Sequence, residues 1–306
     1  MANDDLAQPI DFSRRSGDGI HLGLSLGGGG VFFVAWQVTY LEQLAKLGIN
    51  LKGAGRVVGT SAGSLVASIL ESGGLRRFER EVSFFSKTPA LISALAPSGS
   101  LKPSQQRALD LFVAAQDADP AVIRSIGHEA LAAATPSAGK MARSVAVLLL
   151  SRKWPGKALH ITCVDTLTGE RCVVTQDSGV LIERAVAASS AVPGIFSPQP
   201  IGDRRCMDGG ISGSGTHLDL LAGCDRAVVL SLVDGTPAAV GAMTQTPGGF
   251  AKEIAQLKNS GTAVFHRYPE SVDLTKLMDP KSVPAAILMA KRQATADADE
   301  LKEFII

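Results

Sequence analysis

Apolar positions along this chain fall into two periods. The runs from His21 to Leu26, Arg56 to Val58, Leu159 to Val164, Arg171 to Thr175, Arg204 to Met207 and Arg226 to Leu232 read as buried strands. Between them, Val31 to Leu47, Ser64 to Ser72 and Leu181 to Ala188 repeat apolar residues at helical spacing, the first closed by Gly48. Alternation of strands and helices predicts an α/β fold, a three-layer sandwich with a mainly parallel central sheet. From Leu75 to Arg152 the pattern is helical only, with Pro97, Pro103, Pro120 and Pro136 at boundaries. This block, about 75–152, is expected to be a plain helical subdomain core, a cap beside the site being the sharper alternative. The tail, about 247–306, carries two more helical stretches separated by Tyr268-Pro269 and Asp279-Pro280. With 306 residues, 45% of them hydrophobic and 19% charged, one domain over 1–306 is expected, with its core at about 21–232.

Three glycine-rich segments sit at the ends of predicted strands. Gly59-Thr60-Ser61-Ala62-Gly63 joins a strand to a helix, a setting that lifts a serine hydroxyl clear of the sheet at a helix N-terminus. A side chain at 59 or 63 would crowd that turn and the helix crossing beside it, which makes Ser61 a candidate nucleophile; the plainer reading is a Ser/Gly helix cap. Gly27 to Gly30 end another strand and open a helix, so that amides of Gly28, Gly29 and Gly30 can converge on a developing oxyanion. Dinucleotide binding fits worse: a Gly-x-Gly-x-x-Gly begun at Gly27 or Gly28 needs its third glycine at Phe32 or Phe33. Asp208, followed by Gly209 and Gly210 at a strand end, is a candidate base, although Asp-Gly-Gly alone is an ordinary turn.

In chain order, the glycine loop, the Gly-x-Ser-x-Gly turn and Asp208-Gly209-Gly210, with Ala187 to Phe196 between the last two, resemble the patatin-like phospholipase family from about Leu22 to Leu232. The resemblance implies a lipid acyl hydrolase with Ser61 as nucleophile, Asp208 as the base that activates it without histidine, and the Gly28, Gly29 and Gly30 amides as oxyanion hole. One departure stands out. Where the family commonly has Arg-Gly after the glycine run, this chain has Phe32-Phe33. The arginine is credited with supporting the oxyanion loop, and loss of one oxyanion donor costs about 3 kcal/mol. Weak activity is therefore an expectation, with Phe32 and Phe33 read as core residues or as an acyl-pocket wall.

The remaining features narrow the function. A formal net charge of +1, without a basic run, argues against nucleic acid. Cys163, Cys172, Cys206 and Cys224 lack zinc-ligand spacing and read as reduced, though Cys163 and Cys172 face each other across a hairpin at Thr166 to Gly169. Neither a cofactor nor a metal is called for. The polar stretch Met1 to Gly19 reads as no signal peptide and no span as transmembrane, giving an expected cytoplasmic location with transient membrane-surface contact through residues such as Phe84, Phe85, Leu91, Ile92, Leu95 and Leu101. Two other readings stay open: an α/β-hydrolase esterase with Ser61, Asp208 or Asp225, and His217 or His266, and a non-catalytic lipid-binding relative.

Overall fold

The computed structural model describes residues 6–85, 100–233 and 248–306. Its centre is a mixed, mostly parallel sheet flanked by helices, an α/β sandwich. The strands are β1 Leu22–Leu26, β2 Arg56–Thr60, β3 Leu159–Asp165, β4 Arg171–Val174, β5 Gln199–Ile201, β6 Arg204–Asp208, β7 Arg226–Leu230 and β8 Ala263–Arg267. They run in the order β5-β6-β3-β2-β1-β7-β8, with β4 also paired to β3. The pairs from β3 through β2, β1 and β7 to β8 are parallel, and those of β3 with β4 and β6, and of β5 with β6, are antiparallel.

The apolar runs bury both faces because successive side chains point to opposite sides. Leu24, Leu26, Val57, Ile161, Val228 and Leu230 join one core, and their neighbours Val58, Ala227 and Val229 join another. Against the first face pack α1 Gly30–Lys46, α2 Ala62–Glu71, and the later helix α7 Ile182–Ser189. The second face is covered by α8 Gly249–Asn259, through Phe250 and Leu257, and by the 3-10 turn Leu218–Leu221. The last helix, α9 Val283–Phe304, lies over α1, where Trp36 donates to Gln293 and Tyr40 to Asp297.

Two details differ from the sequence reading. The helical block is present as α3 Leu75–Phe85, α4 Pro103–Ala114, α5 Pro120–Ala132 and α6 Ala138–Leu149, but it is not one subdomain core. Leu75, Phe78, Ala142, Val145 and Leu149 of α3 and α6 enter the main core, whereas Phe112, Ile123 and Ile126 of α4 and α5 cluster with Val164 and Met207 from the sheet. Each helix has only a narrow apolar stripe, and the sheet offers more apolar area than a neighbouring helix does. In the tail, β8 is a strand where only helices were expected. Its run Ala263–Arg267 is short and half-polar, and pairing with β7 decides its conformation.

All four cysteines are buried and free, with Cys163 and Cys172 directly opposite each other in the β3/β4 register. Among the described residues, no helix is long and apolar enough to cross a membrane and no group of His, Cys, Asp or Glu is placed to hold a metal ion. Leu91, Ile92 and Leu95 of the expected apolar edge lie outside the described residues; Phe84, in the last turn of α3, is 64% exposed.

Candidate active site

Strand β3 brings the two candidate catalytic residues together. It pairs in parallel with β2, Thr162 opposite Thr60, and antiparallel with β6, Cys163 opposite Asp208. The C-terminal ends of β2 and β6 therefore converge at adjacent residues of one strand. Ser61 is the residue after β2, and its Oγ donates to Asp208 Oδ2 at 2.7 Å.

Ser61 caps α2 with φ 51° and ψ −119°, a left-handed conformation that costs a non-glycine residue on the order of 1–3 kcal/mol. Its neighbours hold it there. Ser189 Oγ accepts the Ser61 N–H at 2.8 Å, while Ser190 Oγ and Ser64 Oγ donate to the Ser61 carbonyl at 3.2 and 2.6 Å. The next residue of the same turn, Ala191, accepts the Asp208 N–H at 3.1 Å. One turn at the C-terminal end of α7 thus grips the backbones of both members of the pair. Nothing local in Ala187 to Phe196 signals this role of the serines, since a contact across 128 residues leaves no pattern in the sequence.

The glycines flanking Ser61 are explained by close approach. A Cβ on Gly59 would sit 2.7 Å from Ser64 Cα, inside the turn, and one on Gly63 would sit 1.9 Å from the Leu26 carbonyl oxygen. The α2 backbone therefore lies directly on the end of β1, which carries the glycine loop to the serine: a Cβ on Gly28 would be 3.1 Å from Ser61 Cβ. Within that loop, Gly27 N–H donates to Leu230, and Gly28 N–H donates to the Gly215 carbonyl at 3.3 Å. The Gly29 and Gly30 amides, at the start of α1, donate to no described residue. Phe32 and Phe33 are buried, and Phe33 stacks on Trp36, which stacks on Tyr40. They are core residues of α1.

Asp208 is 5% exposed. Burial pushes its carboxyl up to about 6, against the opposing pull of the hydrogen bonds from Ser61 and from Gly210 N–H at 2.9 Å. The histidines are engaged elsewhere. His266, on β8, bonds to Ser231 Oγ at 2.7 Å. His217 is buried beside Arg171, at 3.3 Å, and burial together with that cation keeps its ring well below the usual histidine range and neutral. Asp225 pairs with His21 at 3.0 Å on the surface. The arrangement brings together a serine, an adjacent carboxylate with a lifted proton affinity, and amides at a helix N-terminus, groups whose chemistry is compatible with acyl transfer.

The model of the family described as patatin-like phospholipase matches residues 24–221. Among solved structures, VipD from Legionella pneumophila is 13% identical, with 92% of this chain and 67% of that chain covered and a TM-score of 0.40. The type III effector protein ExoU is 17% identical, with 90% and 53% covered and a TM-score of 0.30. No curated protein matches the chain.

A raised carboxyl is a cost to folding. The penalty is absent below about pH 4, where the group is neutral in folded and unfolded chains alike, and it grows as pH rises toward about 6. Asp208→Asn is expected to be more stable than wild type at pH 8 by about 1–3 kcal/mol, a gain that shrinks toward pH 4, as measured by urea denaturation at both pH values. A variant no more stable at pH 8 would mean that the hydrogen bonds from Ser61 and Gly210 outweigh burial.

Proposed function

The chain belongs to the patatin-like phospholipase family, and we propose that it is a serine acyl hydrolase that cleaves carboxylic esters of lipids through an acyl-enzyme on Ser61. The observation that carries this reading is the 2.7 Å hydrogen bond from Ser61 Oγ to Asp208 Oδ2. Asp208 takes the serine proton as Oγ attacks the ester carbonyl, and the new oxyanion is received by the Gly28 to Gly30 loop, where the Gly29 and Gly30 amides and the N-terminal dipole of α1 are available. Collapse breaks the bond to the alkoxide, which takes the proton from Asp208 and leaves as the alcohol. Water, deprotonated by the same carboxylate, then attacks the acyl carbonyl; the acid departs and Ser61 Oγ takes the proton back from Asp208.

A carboxylate is a weak base for a serine hydroxyl, and burial is what supports it here. With its proton affinity lifted to about 6, Asp208 is still mostly ionised at neutral pH yet holds a proton better than an exposed aspartate does. The strained Ser61 contributes as well, since it presents Oγ at the start of α2 with its angle to Asp208 already set. We further propose transient contact with a lipid surface, which a long-chain ester substrate requires, through apolar side chains such as Phe84.

Ser61→Ala and Asp208→Asn are each expected to lower hydrolysis of a soluble acyl ester by at least about 10³-fold, with the double variant no worse than either single one. Wild-type kcat/KM is expected to fall below about pH 6 as Asp208 takes a proton. His266→Asn is expected to retain most of the rate, and a collapse comparable to that of Ser61→Ala, with an unchanged circular dichroism spectrum, would reinstate a histidine base.

Surface attachment is tested by co-sedimentation with phosphatidylcholine vesicles. Binding is expected to be reversible, insensitive to added salt, and weakened by Phe84→Ser without loss of turnover on the soluble ester. Binding that vanishes in salt would point to charge instead of apolar contact.

A further inference from the structure

Glu253 is a second buried carboxylate outside the pair. It lies on α8, is 8% exposed, and its Oε2 collects three donors from one irregular stretch: Ser214 Oγ at 2.9 Å, Thr216 Oγ1 at 3.3 Å and Leu218 N–H at 3.4 Å. Ser214 Oγ in turn accepts the N–H groups of Thr216 and His217, at 3.2 and 2.7 Å. The stretch has no strand ladder to hold it, and it includes two left-handed residues, Gly213 at φ 89° and His217 at φ 49°. The carboxylate does the work that a ladder does elsewhere. Burial pushes Glu253 up to about 7, against the pull of the Ser214 and Leu218 hydrogen bonds, so an acid is retained at a site where an apolar side chain would be cheaper for packing.

The outer edge of that stretch faces the glycine loop. Gly215 C=O accepts the Gly28 N–H at 3.3 Å, and Thr216 C=O accepts Ser25 Oγ at 2.7 Å, two residues before the loop begins. The Gly215 oxygen also lies 3.2 Å from where a Cβ on Gly27 would be, so the two backbones are in contact. The route from Glu253 to Ser61 is therefore short: carboxylate to Ser214 and Thr216, the Gly215 carbonyl to Gly28, and Gly28 against Ser61.

We propose that Glu253 is a positioning residue for the oxyanion loop, setting the place of the Gly29 and Gly30 amides through the Ser214 to Leu218 stretch and its hold on the Gly28 N–H; this rests on the reading of Ser61 as nucleophile. Its contribution is to the transition state, because the amides it places meet negative charge only when the tetrahedral oxygen forms. A loop displaced by a fraction of an ångström leaves the substrate's ground-state contacts largely intact.

The test is steady-state hydrolysis of a soluble p-nitrophenyl acyl ester by the full chain. Glu253→Ala is expected to lower kcat on the order of 10- to 100-fold with KM changed by less than about threefold. Glu253→Gln, which returns an acceptor oxygen to the same spot, is expected to recover most of that loss. If Glu253→Ala does not fold, Ser25→Ala, which removes the hydroxyl that donates to the Thr216 carbonyl of the same stretch, is expected to reduce kcat several-fold at unchanged KM. Wild-type kcat in Glu253→Ala or, failing that, in Ser25→Ala overturns the proposal. So does a rise in KM at unchanged kcat, or a Glu253→Gln protein as slow as Glu253→Ala. Turnover that persists in Ser61→Ala would instead overturn the nucleophile reading, so the two failures are told apart within one set of assays.

Discussion

The site depends on how one strained residue is held. Ser61 sits at φ 51°, and no feature of its own side chain favours that state. The turn Ser189 to Ala191 compensates by engaging the Ser61 N–H and carbonyl and the Asp208 N–H together. The same three residues grip both strand ends, through two serine hydroxyls and one carbonyl, and so hold the backbones that carry the serine oxygen and the carboxylate. The sheet supplies the coarse placement: β2 and β6 end at Thr162 and Cys163 of β3, so the two chemical groups need only short reaches to meet.

Carboxylates are used in two different ways. Asp219 is bound bidentately by Arg171 at 2.7 Å, and Asp297 by Arg267, so each buried charge is neutralised by a cation. Asp208 and Glu253 instead receive only neutral donors, and burial, which no cation offsets, raises both against the pull of those hydrogen bonds. An unneutralised buried carboxylate weakens the fold, and these two lie around the Ser61 and glycine-loop region, one in direct contact with Ser61 and the other behind the loop. Such placement matches the general tendency of folded proteins to accept local cost where reactivity or position is needed.

The glycine loop lacks the arginine its family commonly carries, and it is supported by the tail instead. Phe32 N–H donates to the Leu277 carbonyl, a Cβ on Gly30 would strike that same oxygen at 2.7 Å, and Phe33 begins the stack with Trp36 and Tyr40 that α9 covers. Residues beyond the matched range 24–221 thus form the back of the loop. The paired phenylalanines serve α1 as core, so any stabilisation of an oxyanion at this end falls to amides and the helix dipole.

Local chemistry was legible in the sequence where a residue's own type dictates the answer. Continuous apolar runs marked β1, β2, β3, β4, β6 and β7, and the glycines around Ser61 and before α1 announced turns that only a missing Cβ allows. The hairpin between Cys163 and Cys172 followed from its turn residues. What tertiary structure alone decided were contacts between segments far apart in the chain: Ser189 and Ser190 on the Ser61 backbone, Glu253 beneath Ser214 to Leu218, β8 as a strand, and the division of the helical block between two cores. A hydrogen bond across 128 residues imposes no period and no local composition on the sequence, and a five-residue half-polar run takes its conformation from the strand edge it meets.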